Sequence, residues 1–260
     1  MTEPTHSIPG VPPDTANVRE RLRRYWDADA ATYDRSPTHA GTDAAEAAAW
    51  RAALARHLPQ AGARILDVGA GTGTVAVLAA ELGHRVTALD LSPRMLEQAG
   101  RKAAARGLDI DIVVGPADEP PPGPFDAVME RHLLWTLPDP VGALVAWRRV
   151  APAGRLVSYE GIFGRPGLGT DLRRVASSFL RQILRIPPDH HRDYEPELLA
   201  ALPLAGRTGP GALVQAVLDG GWRGPRLERL HDVEWARRLA SPWPLGWVET
   251  VPHFALIAES

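Results

Sequence analysis

Between Ile65 and Thr74 the chain reads ILDVGAGTGT: an apolar pair, an acid at Asp67, then glycines at Gly69, Gly71 and Gly73. Glycine takes positive φ freely and lets backbone approach a ligand closely. The alanine-rich run VAVLAAELG that follows reads as a helix. Its first N–H groups have no partner within the helix and suit a polar ligand. Arg85–Asp90, RVTALD, reads as a second strand, and the acid at its end can accept hydrogen bonds from both hydroxyls of a ribose. Strand, glycine turn, helix, strand and acid make one nucleotide-binding βαβ unit. The turn alone does not choose the nucleotide. A nicotinamide dinucleotide fingerprint would need glycine where Thr74 stands. Asp67 would repel a pyrophosphate, yet it could help hold an ammonium group, which favours a ligand with a cationic amino-acid tail.

S-adenosylmethionine is such a ligand. The pattern D-x-G-x-G-x-G over Asp67–Gly73, with D-L-S-P-x-M-L over Asp90–Leu96, resembles the class I S-adenosylmethionine-dependent methyltransferases of the small-molecule, natural-product type. The resemblance implies S-adenosylmethionine as cofactor and S-adenosylhomocysteine as product. It implies contacts from Asp67, Gly69, Ala70, Gly71 and Gly73 in the turn, from Asp90, Leu91 and Met95 after the second strand, and from Ala117, Asp118 and Arg131 further on. Trp26–Asp34 is similar to the N-terminal W-D-x-x-A-x-x-Y-D element of such enzymes, whose tyrosine lies over the cofactor; Tyr33 matches it, and a packing aromatic is the other reading. Gly115–Glu119, GPADE, stands where relatives place an adenine-binding turn. They often carry an acid after that glycine, whereas this chain has Pro116, so Ala117 N–H and Asp118 become the substitutes and the adenine N6 contact stays open.

Around these residues, alternating patterns predict an α/β, doubly wound, Rossmann-like seven-stranded sheet, mostly parallel with the last strand antiparallel, plus N-terminal helices and a helical lid insertion. Residues 1–16 read as a disordered tail, 17–62 as a helical cap, 63–160 and 210–260 as the cofactor-binding core, and 161–209 as a substrate lid. Helices are expected over Asn17–Ala31, Thr42–Leu58, Ser92–Ala105, Val141–Val150, Leu172–Ile186, Pro210–Leu218 and Val233–Ala240, and further strands over Asp109–Val114, Phe125–Glu130, Arg155–Glu160, Arg226–Val233 and His253–Ala258. Ligands bind outside the carboxyl ends of such strands, so Asp67–Gly73, Asp90, Gly115–Asp118, Glu130–His132 and Glu160 should face one crevice.

Methyl transfer asks mostly for alignment of nucleophile, methyl carbon and sulfur. A base is needed only where the acceptor must lose a proton. His132, Tyr33 and Glu130 are the catalytic candidates, with Tyr159 and Glu160 as further strand-end groups. His132 has the intrinsic pKa for a base near neutrality, and orienting its turn is the bland alternative. Asp189, His190, His191 and Asp193 could ligate a metal, but no second pair stands at ligand spacing, and no metal is expected. Arg173, Arg174, Arg181 and Arg185 could face an anionic substrate group, or simply solvent.

The 260 residues carry a net charge of −2, which offers no basic field for nucleic acid. With no cysteine, disulfides, thiolate zinc sites and a cysteine nucleophile are excluded. No apolar run approaches the roughly 20 residues that span a bilayer, and the N-terminus lacks a secretory pattern, so a cytoplasmic protein is expected. Trp222, Trp235, Trp243 and Trp247 suggest core packing or a homodimer contact. Methyl transfer to a small secondary-metabolite acceptor is the expected function. A peptide acceptor, a dinucleotide oxidoreductase and a non-catalytic cofactor-binding protein are the alternatives.

Overall fold

The computed structural model describes residues 15–35, 43–161, 168–186, 194–206 and 209–260. Helix α1 (Thr15–Asp29) leads through a 3-10 turn (Tyr33–Arg35) towards α2 (Ala44–His57). The core then alternates: β1 (Arg64–Val68), α3 (Thr74–Glu81), β2 (Arg85–Asp90), α4 (Pro93–Ala105), β3 (Asp111–Val114), β4 (Ala127–Arg131), α5 (Pro140–Val150) and β5 (Arg155–Gly161). Helices α6 (Leu168–Ile183) and α7 (Pro196–Ala200) occupy the insertion. The chain closes with α8 (Gly211–Asp219), β6 (Arg223–Arg229), α9 (His231–Ala240), α10 (Leu245–Glu249) and β7 (His253–Glu259).

The seven strands form one sheet in the order β3-β2-β1-β4-β5-β7-β6. β7 runs antiparallel to both β5 and β6, and the other pairings are parallel. Alternation along each strand splits the core in two. Ile65, Val86, Met129, Val157 and Ile257 pack against Trp50 and Leu54 of α2 and Leu78 of α3. Their neighbours Leu66, Leu89, Val128, Leu156 and Leu256 pack against Leu144 and Trp147 of α5 and Val217 of α8. Burial on both faces is why the central strands read as nearly continuous apolar runs. A third cluster joins Val18 and Leu22 of α1 to Leu198 and Leu202 beside α7, so the N-terminal helix packs on the insertion.

Side-chain caps start α4 and α5: Ser92 Oγ accepts from Met95 N–H (3.1 Å) and Asp139 Oδ1 from Gly142 N–H (2.9 Å). Several boundaries differ from the sequence reading. β3 begins at Asp111 rather than Asp109, α6 spans Leu168–Ile183 rather than Leu172–Ile186, and Leu245–Glu249 is a helix where a loop was expected. β6 stops at Arg229: Leu230 N–H still bonds His253 carbonyl (2.9 Å), but the Leu230 carbonyl accepts from Glu234 N–H (2.9 Å), which starts α9 and turns the expected strand end Leu230–Val233 into helix. Residues 1–14 of the expected tail lie outside the described residues, while Thr15 and Ala16 belong to α1.

Candidate active site

A cavity of about 870 Å³ opens over the carboxyl ends of β1, β2 and β4, where the strand order reverses. One side of its wall includes Gly69, Gly71, Asp90, Leu91 and Met95, with Ala117 and Asp118 from the turn after β3. Gly71 sits at φ +55°, and a Cβ there would meet nothing nearer than Gly69 O at 4.0 Å, so it would protrude into open space. Gly73 differs. It caps α3 at φ +78°, and a Cβ would strike Ala99 Cβ of α4 at 2.7 Å, so its smallness serves helix packing. Asp90 accepts from Gly71 N–H at Oδ2 and from Ser92 N–H at Oδ1, both at 2.8 Å. Burial raises its carboxyl to about 6 against the pull of those two donors. Each oxygen keeps a further lone pair for a ligand hydroxyl.

Asp67 lies behind this wall, not on it. It is fully buried, neither oxygen has a hydrogen-bond partner, and burial pushes its carboxyl well above the ordinary range while Arg131 pulls it down. Arg131 does reach the cavity; its Nη1 is buried without a hydrogen-bond partner, and its guanidinium lies 5.5 Å from the Trp50 ring centroid. A buried carboxyl whose oxygens have no hydrogen-bond partner among the described residues, and a guanidinium with its Nη1 unpartnered among them, fit the zwitterionic end of an amino-acid ligand beside a glycine turn. Asp118, expected near adenine, pairs with Arg19 of α1. Trp147 Nε1–H donates to the Ala117 carbonyl (2.6 Å), which fixes that turn. Ala70 is buried beneath the turn and off the wall.

The opposite side is aromatic. Tyr25 stacks on Tyr194 with centroids 4.5 Å apart, and Trp26 meets Tyr33 edge-on at 6.1 Å. Trp135 meets Tyr194 edge-on at 5.9 Å, and all five rings line the cavity. Such walls suit a planar, largely apolar molecule.

His132 follows β4 at φ +61°, a left-handed conformation uncommon outside glycine. Its N–H donates to the Tyr159 carbonyl (2.9 Å), and its ring borders the cavity. Its Nδ1 lies 3.6 Å from Oε2 of Glu160, which is fully buried. Glu130 is not on the wall. It accepts from Leu133 N–H (2.8 Å) and Leu134 N–H (3.4 Å) and from the Ser158 hydroxyl, and so holds the turn that carries His132. Burial first, and Glu160 second, push the Glu130 carboxyl up to about 8. His253 stacks edge-on to His132 at 5.6 Å. Its Nδ1–H donates to the Val251 carbonyl (2.7 Å), while Arg237 reaches its Nε2. Burial and Arg237 keep His253 well below its ordinary pKa, hence neutral. Tyr159 is buried against His57, away from the cavity.

The sequence reading missed the aromatic wall, His253 and a polar cluster formed by Asp34, Thr72 and Lys102. Trp26 and Asp34 belong to the motif that contains Tyr33 and could have been found there; Lys102 and His253 leave no local signal. Asp189, His190, His191 and Asp193 lie outside the described residues, among which no three metal-ligating side chains cluster.

A methyltransferase-domain family matches residues 66–158. Over 183 residues the chain is 30% identical to a ubiquinone biosynthesis O-methyltransferase of Xanthomonas euvesicatoria, covering 68% of this chain and 72% of that protein. Among solved structures, an S-adenosylmethionine-dependent methyltransferase of Aquifex aeolicus is similar at TM-score 0.53 and 17% identity, over 80% of this chain and 88% of that one. The [4+2]-cyclase SpnF is similar at TM-score 0.56 and 19% identity, over 82% and 81%. Identity that low speaks to the fold alone, and a fold hosts more than one chemistry.

Proposed function

The chain belongs to the class I S-adenosylmethionine-dependent methyltransferases, and from that premise we propose that it methylates a hydroxyl group on a planar, largely apolar small molecule. The observation that carries this reading is the pairing of His132, on the cavity wall, with the buried Glu160 carboxylate 3.6 Å away, opposite an aromatic wall. An imidazole backed by a carboxylate is equipped to accept a proton, and a hydroxyl is the acceptor that has one to give up. The O-methyltransferase name of the Xanthomonas relative agrees.

Bound S-adenosylmethionine supplies an activated methyl on a sulfonium. The chain does the rest by placement. Asp90 holds the ribose hydroxyls, and Gly71 leaves room for the ligand backbone to approach. Arg131 takes the amino-acid end, with the buried Asp67 carboxyl behind it. Tyr25, Trp26, Trp135 and Tyr194 clamp the acceptor plane and exclude water, while Tyr33, beside Asp90 and Arg131, lies over the cofactor. His132 receives the hydroxyl proton at its ring as the acceptor oxygen becomes nucleophilic, and Glu160 steadies the imidazolium. Burial and the neighbouring Glu160 push the Glu130 carboxyl up to about 8, so Glu130 holds its proton at neutral pH.

The acceptor we envisage is a secondary metabolite, and residues 161–209 act as its lid, with 17–62 as the cap and 63–160 plus 210–260 as the core. The net charge of −2 supports a non-nucleic-acid substrate. No described helix is long and apolar enough to cross a membrane, and we place the protein in the cytoplasm. The exposed Trp235, Trp243 and Trp247 support a homodimer through the face of α9 and α10. The test of function is label transfer: methyl-labelled S-adenosylmethionine offered with a panel of phenols and catechols and with matched amines. The expected product carries the label on oxygen. Label on nitrogen or carbon contradicts the reading, as does no transfer to any phenol.

A further inference from the structure

Three side chains off the cavity wall close a polar cluster between the N-terminal segment and the glycine turn. Asp34 follows Tyr33 directly. Its Oδ1 accepts from Thr72 Oγ1 (2.8 Å) and from Lys102 Nζ (2.9 Å), and its Oδ2 lies 2.8 Å from the same Nζ. Lys102 Nζ also donates to Thr72 Oγ1 at 2.9 Å, so the threonine hydroxyl both gives and receives. Thr72 is buried between Gly71 and Gly73, and Lys102 comes from the far end of α4. The cluster therefore ties three segments at one point, directly behind the tyrosine that faces the cavity.

This pair is poorly suited to stabilising the fold. Burial, with Arg131 and Arg106 nearby, holds the Lys102 ammonium below its ordinary pKa although Asp34 pulls it up, so taking this charge out of water carries a cost that its pairing must offset. What the pair does supply is location. Asp27, on the same strap, accepts from Ser92 Oγ (2.6 Å), and Arg19 pairs with Asp118, so α1 is moored at two further places along the carboxyl edge. Only the Asp34 mooring bears on the glycine turn itself.

We propose that Asp34 and Lys102 are positioning residues that act through Tyr33: with Thr72 they latch the N-terminal strap over the glycine turn and set how fast the cofactor leaves. The inference rests on the cofactor lying against that turn, and it is independent of which acceptor atom is methylated. It is tested without an acceptor, by stopped-flow dissociation of S-adenosylhomocysteine from wild type, Asp34→Asn, Lys102→Met and the double variant. One charge-assisted contact is enough for roughly a tenfold faster release. Each single variant should release about that much faster, and the double no faster than either single, because one latch can be broken only once. In the ligand-free protein, amide exchange over residues 30–35 should speed up in each. If a charged partner left alone unfolds a variant, Thr72→Val serves in its place, since it loosens the same latch without orphaning a charge. Unchanged release rates overturn the proposal. So do additive effects in the double variant, or faster release with unaltered exchange over 30–35.

Discussion

The two halves of the carboxyl edge are built by different means. On the side of β2 and β3 the ligand-facing geometry is mostly backbone: Gly71 at positive φ, and Asp90 pinned by the N–H groups of Gly71 and Ser92. On the side of β4, β5 and β7 it is side chains: His132, Glu160, Glu130 and His253 meet from three strands. Backbone sites are rigid and tolerate little added bulk. Side-chain sites are tuned by burial and charge, and they answer to pH. In the proposed reading the cofactor lies on the first half and the acceptor on the second, so the rigid part would hold the cofactor.

The largest effect should come from bulk on the backbone side. In Gly71→Val the branched side chain would occupy ligand space, so cofactor affinity should fall by on the order of a hundredfold or more, with a modest loss of thermal stability. Gly73→Val should reverse that balance, lowering the melting temperature sharply because its Cβ collides with Ala99. Equal effects of the two on binding would erase the distinction between a ligand-facing and a packing glycine.

Asp90 comes next, since it joins the two regimes. Asp90→Ala should weaken S-adenosylmethionine by about 1–3 kcal/mol in calorimetry, the cost of leaving buried hydroxyls unpaired. Its carboxyl titrates near 6 in the free protein, and the ionised form is the better acceptor. Affinity should therefore be flat above neutrality and decline as pH falls through 6, and Asp90→Asn should remove that slope. A wild-type slope that persists in the asparagine variant points to another group.

The smallest effect concerns Glu130. Its folded value of about 8 lies above the ordinary 4.5, so between these two the folded chain holds a proton the unfolded chain has released. Stability from this group is present at low pH, declines as pH rises through that window, and levels off above about 8. Glu130→Gln should remove the decline, so the variant should gain steadily on wild type as pH rises from 5 to 9 in denaturant melts. Parallel stability curves for the two proteins would show that Glu130 is ionised when folded.

The same contrast explains what could be read from the chain beforehand. The glycine turn, Asp90 and the Ser92 cap are local patterns, each interpretable within a few residues, and alternation of apolar residues is enough to predict the sheet. The acceptor side has no such contiguity. His132 was found because it follows a strand, but its partner Glu160 lies on the next strand and His253 on the last, and neither spacing carries a periodic signal. Asp67 is a different case: its type and position suggest a contact with the ligand, and full burial places its carboxyl beneath the wall, which no spacing in the sequence announces. The expected strand Arg226–Val233 ran too far: Leu227, Leu230 and Val233 fall three apart rather than alternating, and the hydrogen bond from Glu234 N–H to the Leu230 carbonyl starts α9.

The central claim, that His132 takes the acceptor proton, is tested most directly by His132→Gln, which keeps a hydrogen-bonding side chain but cannot accept a proton at neutral pH. With a phenol that wild type methylates, the glutamine variant should turn over about 10²–10⁴-fold more slowly, close to His132→Ala, while calorimetry shows S-adenosylmethionine binding unchanged. Turnover restored near the wild-type rate in His132→Gln would contradict the account and leave His132 as a residue that only orients its turn.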